Sequence, residues 1–525
     1  MPKCTIDGRE IEVAPGTNAL KAALDNGIHI QHFCWHPDLP VDGNCRTCMI
    51  EVEKMPKLQI ACNTVISEGM VIRTSSEKAT EAQRTALEFL LRNHPIDCPV
   101  CDQAGECYLQ DNYMKYGLYE AKVEIEEKVN KRKVVDLGPI VLDAERCVLC
   151  SRCLRFESHV TGTNLLEFQN RGGHTQIASF ENRPITHGYA GNLADVCPVG
   201  ALLSRDFRFK MRVWFLEETE SVCPGCSTGC NLYVDHRDGE AQRFRARRNA
   251  EVNKSWLCDI GRGLYRELSS SRLGSARLKN GEWTKMALDP AVGAVSERLR
   301  DAGTATAFVA SPQASNEDLF AFRKLAEAAG GKLDFRVGNP QDRLRVREDE
   351  VLRRADHNPN TQGCLDLGLG RDGVAALLDA CRKGAVKALV LQGPELLKLP
   401  EAADAIAKVE FVTVMATHEG PELEQADAVL PAAAFAEYEG TFTNYQRRVQ
   451  RFRRAFAAQG DAQPRFEIAG ALLRGLGKPL PAANARDFFR LLAAEAPGYA
   501  GLDYKKIGSQ GVALAAEPEP AGARA

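Results

Sequence analysis

Residues Arg146–Arg155 read RCVLCSRCLR, and further along the chain Cys197 is followed directly by Pro198. Cys147, Cys150 and Cys153 place three thiols within seven residues. Iron–sulfur clusters need soft, anionic thiolates, four to a cluster, delivered by a compact loop that shields the sulfides from water. Three thiolates so close together wrap one corner of an iron–sulfur cubane well and suit a zinc tetrahedron less well. With Cys197 as the fourth ligand, the stretch reads as a 4Fe–4S site. The same opening and the same terminal Cys-Pro occur in the bacterial ferredoxin run.

Three more sets flank it. Upstream, Cys34, Cys45, Cys48 and Cys62 are spaced C-x10-C-x2-C-x13-C, with Gly43 free to turn the backbone tightly beside them. This is similar to the plant-type 2Fe–2S pattern with a longer first gap; a structural zinc site is the alternative. Next, His94, Cys98, Cys101 and Cys107 form H-x3-C-x2-C-x5-C. Taken alone, His94 would be an ordinary histidine at a helix end. Three neighbouring cysteines without a fourth make its imidazole the missing ligand. Downstream, Cys223, Cys226, Cys230 and Cys258 are spaced C-x2-C-x3-C-x27-C, which a zinc ribbon could also use. Cys4, Cys364 and Cys381 have no partners by spacing and read as small buried hydrophobes.

The rest of the composition is ordinary. Of the 525 residues, 44% are apolar, enough for several domains with sizeable cores, and the net charge of −3 lacks the basic excess of a nucleic-acid binder. Sixteen of the eighteen cysteines precede residue 259. Met1 to Ile6 leads straight into a strand–turn–strand pattern around Asp7-Gly8, so no secretory signal is expected, and clustered CxxC spacing then points to metal or redox chemistry. No apolar run approaches the ~18 residues of a membrane span.

Short β-type runs at 48–53 and 69–74, with a helix around Asn18 to Asp25, predict a small sheet packed on a helix within residues 1–75. Apolar spacing predicts a helix over 77–93 that ends before Pro95. From about residue 270 the texture changes to strands at 305–310, 388–392 and 409–415 alternating with helices such as 316–329. That alternation predicts an α/β layer with a mainly parallel sheet. The Ala/Pro/Glu-rich end, 515–525, reads as disordered. Gly368-Leu-Gly370-Arg-Asp-Gly373 matches G-x-G-x-x-G, but polar loop, not a strand, precedes it, so it reads as a glycine-rich turn and not a dinucleotide site. Arg243, Arg245, Arg247 and Arg248 read as a solvated strand face, with cluster-charge compensation or partner docking as the alternative. No catalytic constellation rises above background.

With these residues in view, the chain resembles the large iron–sulfur subunit of respiratory complex I, the G subunit family of NADH:quinone oxidoreductases. The resemblance is carried by Gly43–Val52 (GNCRTCMIEV), Glu88–Gln110 (EFLLRNHPIDCPVCDQAGECYLQ), Arg146–Arg155 and Gly191–Ser204 (GNLADVCPVGALLS). It implies one 2Fe–2S cluster on the first set and 4Fe–4S clusters on the other three. It also implies a cofactor-less molybdopterin-type region carried by Ala426–Pro431 (ADAVLP) and Glu439–Gln450 (EGTFTNYQRRVQ). The expected fold is multidomain α+β and α/β. A 2Fe–2S ferredoxin-like β-grasp domain (1–76) is followed by a 4Fe–4S domain with one histidine and three cysteine ligands (77–135) and a ferredoxin-like 4Fe–4S domain (136–215). A 4Fe–4S domain of molybdopterin-oxidoreductase type (216–272), a degenerate molybdopterin-oxidoreductase-like α/β domain (273–510) and a disordered tail (511–525) complete the chain.

The implied function is electron relay from a flavin- and NADH-binding partner subunit, among other peripheral-arm subunits, toward quinone. The chain would lie on the cytoplasmic side of a bacterial inner membrane and touch the membrane only through the complex. No molybdenum, flavin or NAD is expected on this chain. The rival is the iron–sulfur subunit of an NAD-linked formate dehydrogenase or hydrogenase. Too few residues follow Cys258 for a full molybdopterin-binding region, and two later thiols are too few for a hydrogenase centre. Ala104, Tyr108 and the His187-Gly-Tyr-Ala stretch depart from the family's pattern, which puts local packing and potential in question.

Overall fold

In the computed structural model, residues 1–117, 119–120, 128–335, 348–370 and 373–515 are described. The chain divides into two compact units, Met1–Leu216 and Glu217–Ala525.

The first unit opens with strands β1 (Lys3–Ile6) and β2 (Arg9–Glu12), helix α1 (Ala19–Asp25), and strands β3 (Met49–Val52), β4 (Gln59–Ile60) and β5 (Met70–Arg73). They form a five-stranded sheet in the order β2-β1-β5-β3-β4, with β1 and β5 parallel at its centre. Asn18 starts α1 by accepting a hydrogen bond from Lys21 N at 2.8 Å. Leu20, Ala22 and Ala23 of α1 then pack with Ile6, Ile50 and Ile72 of the sheet. Burying each such isoleucine contributes roughly 1.5–3 kcal/mol. Helix α2 (Glu77–Leu91) is capped by Ser76 and ends short of Pro95, as the periodicity predicts. Beyond it lie α3 (Tyr108–Tyr116), a three-stranded sheet of β6 (Val135–Asp136), β7 (Ile140–Leu142) and β10 (Leu202–Ser204), the hairpin β8 (Leu166–Gln169) and β9 (Gln176–Ser179), and short helices α4 (Arg152–Phe156) and α5 (Gly191–Val196).

The second unit begins with an antiparallel meander of β11 (Glu217–Val222), β12 (Asn231–Arg237) and β13 (Glu240–Ala246), then helix α6 (Asp259–Gly263). Its main layer is a seven-stranded sheet. The strands are β14 (Ala276–Asn280), β15 (Glu282–Met286), β16 (Thr306–Ala310), β17 (Lys332–Phe335), β18 (Ala388–Leu391), β19 (Phe411–Ala416) and β20 (Ala428–Pro431), in the order β15-β14-β20-β19-β18-β16-β17. From β17 to β20 every pairing is parallel; β14 runs antiparallel to β20 and to β15. Alternation along the strands sends Phe308 and Ala310 to one core and Ala307 and Val309 to the other, so both faces of the sheet are covered. Helix α7 (Leu288–Ala302) and helix α8 (Asn316–Ala329), whose Ser315 and Asp318 form a capping box, lie on the Phe308 face.

Three sequence expectations need correction or completion here. Arg248 is exposed, but the other three arginines of the run do not form a solvated face. Arg243 and Arg245 on β13 both reach the carboxylate of Asp235 at 2.6 Å, and Asp235 on β12 is 1% exposed. Arg247 is buried and donates to the Ser509 carbonyl at 2.6 Å. Register sets Asp235 opposite Arg243, which brings the Arg243 charge onto the buried carboxylate. In the glycine-rich match, Gly368 has φ +67° and follows the helix at Thr361–Asp366, so it ends a helix and follows no strand. Arg371 and Asp372 lie outside the described residues, as do residues 516–525 of the tail, but 511–515 are not disordered: Val512–Ala513 is a strand paired antiparallel with Arg448–Val449, and Leu514 is buried. Cys4, Cys364 and Cys381 are all buried in apolar cores.

Candidate metal centres

The first set lies in the opening sheet domain of the first unit. Cys34, Cys45 and Cys48 come from the long loop between α1 and β3, where Gly43 at φ +74° makes a turn that a side chain resists. Cys62 sits in a short turn after β4, brought to Cys48 by a hydrogen bond from Ala61 N to the Cys48 carbonyl at 2.9 Å. The four thiols hydrogen-bond to one another: Cys34 with Cys45 and Cys62, and Cys48 with Cys62. Hydrogen bonds from Cys45 and Cys62 hold the Cys34 thiol well below the usual thiol range. The same contacts raise Cys45 and Cys62, so all four ionise together only against a cation.

His94 stands just past α2. Burial, then Lys128 and Arg146, push its imidazole down to about 4, so it is neutral at physiological pH with a lone pair to offer. Its Nδ1 is buried without a hydrogen-bond partner, an orphan that a metal bond would satisfy. His94, Cys98 and Cys107 line one cavity of ≈ 530 Å³. Cys101 is buried beside it, and an ideal Cβ on Gly200 would come within 2.2 Å of its Sγ.

Cys147, Cys150, Cys153 and Cys197 together line a cavity of ≈ 20 Å³ walled by Leu142, Ile177 and Leu202. Left-handed backbone at Leu149 (φ +52°) and Ser151 (φ +60°) folds the three-thiol run onto it. Burial, then the neighbouring sulfurs of Cys150 and Cys197, push Cys147 up to about 12, and burial pushes Cys150 up to about 11. Four thiols in such a place ionise together only against a cation, so the donor chemistry fits a cluster.

The fourth set belongs to the second unit. Cys223, Cys226 and Cys230 are carried by the β11–β12 hairpin loop, closed by Cys223 N to the Cys230 carbonyl at 2.8 Å. Cys258 precedes α6 and accepts from Gly261 N at 3.3 Å. All four line a cavity of ≈ 30 Å³ with Leu352, Arg353 and His357. Among the described residues, no three His, Cys, Asp or Glu side chains converge on a site for a single metal ion.

Spacing reads thiols and says nothing of what surrounds them. It therefore missed Arg146, which salt-bridges Asp97 and Asp143 beside the second set, and Gly200, which lets the third set's loop close on Cys101. It also missed Arg152 and Arg155, buried inside the quoted run. The departures settle into ordinary packing. Tyr108 lies under the Arg152 guanidinium at 5.1 Å, and His187 Nε2 meets the buried Glu157 carboxylate at 2.8 Å.

Five family models match in succession. They are the 2Fe-2S iron-sulfur cluster binding domain (residues 3–77), the NADH-ubiquinone oxidoreductase-G iron-sulfur binding region (83–122) and the NADH-quinone oxidoreductase subunit 3 ferredoxin-like domain (138–203). The Molybdopterin oxidoreductase Fe4S4 domain (216–270) and Molybdopterin oxidoreductase (350–474) follow. The chain thus carries 2Fe–2S and 4Fe–4S binding domains ahead of a molybdopterin-oxidoreductase-like α/β region.

Among curated proteins, the NADH-quinone oxidoreductase G subunit of Rickettsia bellii is 35% identical over 402 residues, 74% of this chain and 57% of that protein. The NADH-quinone oxidoreductase G 2 subunit of Rhizobium meliloti is 40% identical over 329 residues, 62% of this chain and 39% of that protein. The chain therefore spans about half the length of these relatives or less. A crystal structure of NAD+-reducing [NiFe]-hydrogenase in the H2-reduced state matches 40% of this chain and 91% of its own, at 29% identity and TM-score 0.37. No described helix is long and apolar enough to cross a membrane. Its ordered run of cluster-binding modules and its 35–40% identity to curated relatives place the chain in the G subunit family of NADH-quinone oxidoreductases.

Proposed function

We propose that this chain is the iron–sulfur electron-transfer subunit of an NADH:quinone oxidoreductase, relaying electrons from a flavin-bearing partner subunit toward quinone. The observation that carries the reading is the enclosure of Cys147, Cys150, Cys153 and Cys197 around one small buried cavity. In this reading Cys34, Cys45, Cys48 and Cys62 hold a 2Fe–2S cluster. Three 4Fe–4S clusters belong to the His94–Cys107, Cys147–Cys197 and Cys223–Cys258 sets. The bound clusters would supply one-electron carriers.

The chain's own residues bury or half-bury every proposed ligand except the exposed Cys98, and aim backbone N–H groups at sulfur, as Leu149 N does to Cys147 Sγ and Gly225 N to Cys223 Sγ. The domains follow the boundaries expected above except that the α/β domain extends through residue 515, with no complete active site and no molybdenum, flavin or NAD on this chain. The subunit sits on the cytoplasmic face of the inner membrane and touches the membrane through its complex.

Metal and sulfide analysis of anaerobically reconstituted protein tests the reading. About 14 irons per chain with matching sulfide and negligible zinc or molybdenum is expected. The isolated chain should accept electrons from dithionite but not from NADH. Stoichiometric zinc, or NADH–ferricyanide activity in flavoprotein-free material, would overturn it.

A further inference from the structure

Buried arginines hold the loops of the first and third ligand sets together. Helix α4 begins inside the three-thiol run, so Arg152 and Arg155 flank Cys153. They are 3% and 9% exposed. Arg155 Nη2 donates to the Cys34 carbonyl and, at 3.3 Å, to the Cys150 carbonyl. Its Nη1 donates to the Pro40 carbonyl, and its Nε to Ser151 Oγ at 3.1 Å. Ser151 Oγ donates in turn to the Asp42 carboxylate. Arg152 repeats the pattern, with Nη2 to the Trp35 carbonyl at 2.6 Å and Nη1 to the Val196 carbonyl at 3.3 Å. Asn44 Nδ2 adds a neutral tie to the Leu149 carbonyl at 3.1 Å. One planar guanidinium therefore bridges a ligand residue of the first set to a ligand residue of the third.

We propose that Arg155 is a positioning residue for two redox centres at once, fixing the spacing of the first and third ligand loops and holding positive charge against both. The inference rests on the cluster assignment given above. Reduction adds negative charge to a cluster, and a nearby cation favours the reduced form. Inside a protein that attraction is screened far less than in water. Because the same group contacts Cys34 and Cys150, its charge acts on both centres together. Lysine cannot reproduce this arrangement, since it lacks the rigid fork that spans two carbonyls.

The test uses the reconstituted full chain with Arg155→Gln and Arg155→Lys, read by iron content, EPR-monitored redox titration and the magnetic coupling between the two reduced centres. Arg155→Gln keeps hydrogen-bond donors but removes the charge. Both midpoints should fall by a tenfold change in the oxidised-to-reduced ratio, 59 mV for a one-electron couple. Arg155→Lys keeps the charge and loses the fork, so both midpoints should stay near wild type while the coupling weakens. Unchanged midpoints in an iron-replete Gln variant, a shift at one centre alone, or unchanged coupling in the Lys variant overturns the proposal. If the variants lose iron, the loss must strike both sets while the His94 signal persists; loss from one set alone also overturns it. A wild-type chain whose centres titrate but accept no electrons from the flavin partner would fail the relay reading and leave this test standing.

Discussion

Gly200→Ala should cost the second set its cluster, and the size of the effect can be worked from the packing. Gly200 does not lie in the left-handed region, so its backbone accepts alanine. At such a site the substitution ordinarily stabilises by ~0.4–1 kcal/mol through the unfolded state. Here the new Cβ would stand 2.2 Å from Cys101 Sγ and 3.2 Å from Gln103 Cβ. Ordinary contact between heavy atoms needs about 3.5–4.0 Å, so the sulfur would retreat by roughly 1.5 Å. Arg146, whose Cδ lies 3.6 Å from the same point, is anchored by Asp97 and Asp143 and blocks an easy escape. Overpacking costs about 1–3 kcal/mol, which outweighs the entropic gain and leaves a net loss of order 1 kcal/mol. Metal–ligand bonds tolerate only about 0.2 Å, so a sulfur moved that far cannot stay bound. The assay is iron per chain with the EPR spectrum and a thermal scan. About four irons should be missing, the second signal should disappear, and the melting temperature should fall by a few degrees. A Gly200→Ala chain with full iron, an unaltered spectrum and an equal or higher melting temperature would refute the reasoning.

His94→Cys should retain a cluster at lower potential, because a thiolate adds a negative charge where the imidazole is neutral; a redox titration showing an unchanged or raised midpoint would remove His94 from the ligand set. Cys226→Ala should lower the amount of assembled complex while leaving near-normal turnover in what assembles, measured as NADH–quinone activity per bound flavin; full assembly with tenfold slower turnover would put the fourth centre in the electron path. Glu317 is fully buried, and burial pushes its carboxyl from 4.5 up to about 7 despite hydrogen bonds from Thr441 and Tyr504. A folded value above the unfolded one means its stabilisation is complete below pH 4.5 and is lost as pH rises through about 7, by up to roughly 3 kcal/mol. Glu317→Gln should flatten that dependence in denaturant titrations from pH 5 to 8, and equal slopes in both proteins would falsify the assignment.

What was legible in the sequence was local. Thiol spacing is written into consecutive residues, and the starts of α1, α2 and α8 follow from Asn18, Ser76 and Ser315 sitting just before apolar periodic runs. The α/β alternation after residue 270 was legible for the same reason, and β16 to β20 follow it. The reversed direction of β14 was not, because it depends on pairing with β20, far along the chain. Arg243 looks solvated until β12 delivers Asp235 to it. Arg155 meets the Cys34 carbonyl across 121 residues of chain. The orphaned Nδ1 of His94 needed a folded surround before it could be noticed.

The close approach of Gly200 to Cys101 also bears on the order of events during synthesis. The wall of the second site is supplied by the loop after Cys197, which also ties Tyr108 N to the Pro198 carbonyl at 2.9 Å. A ribosome that has released His94, Cys98, Cys101 and Cys107 has delivered every proposed ligand of that site but not its enclosure. On the proposed assignment, loading should wait until the chain has grown past Gly200, by which time the first and third sets are also present. Nascent chains stalled before Pro198 should emerge without iron at His94, and a shortage of iron should yield chains that are empty at neighbouring sites together, not a graded series filled from the N-terminus.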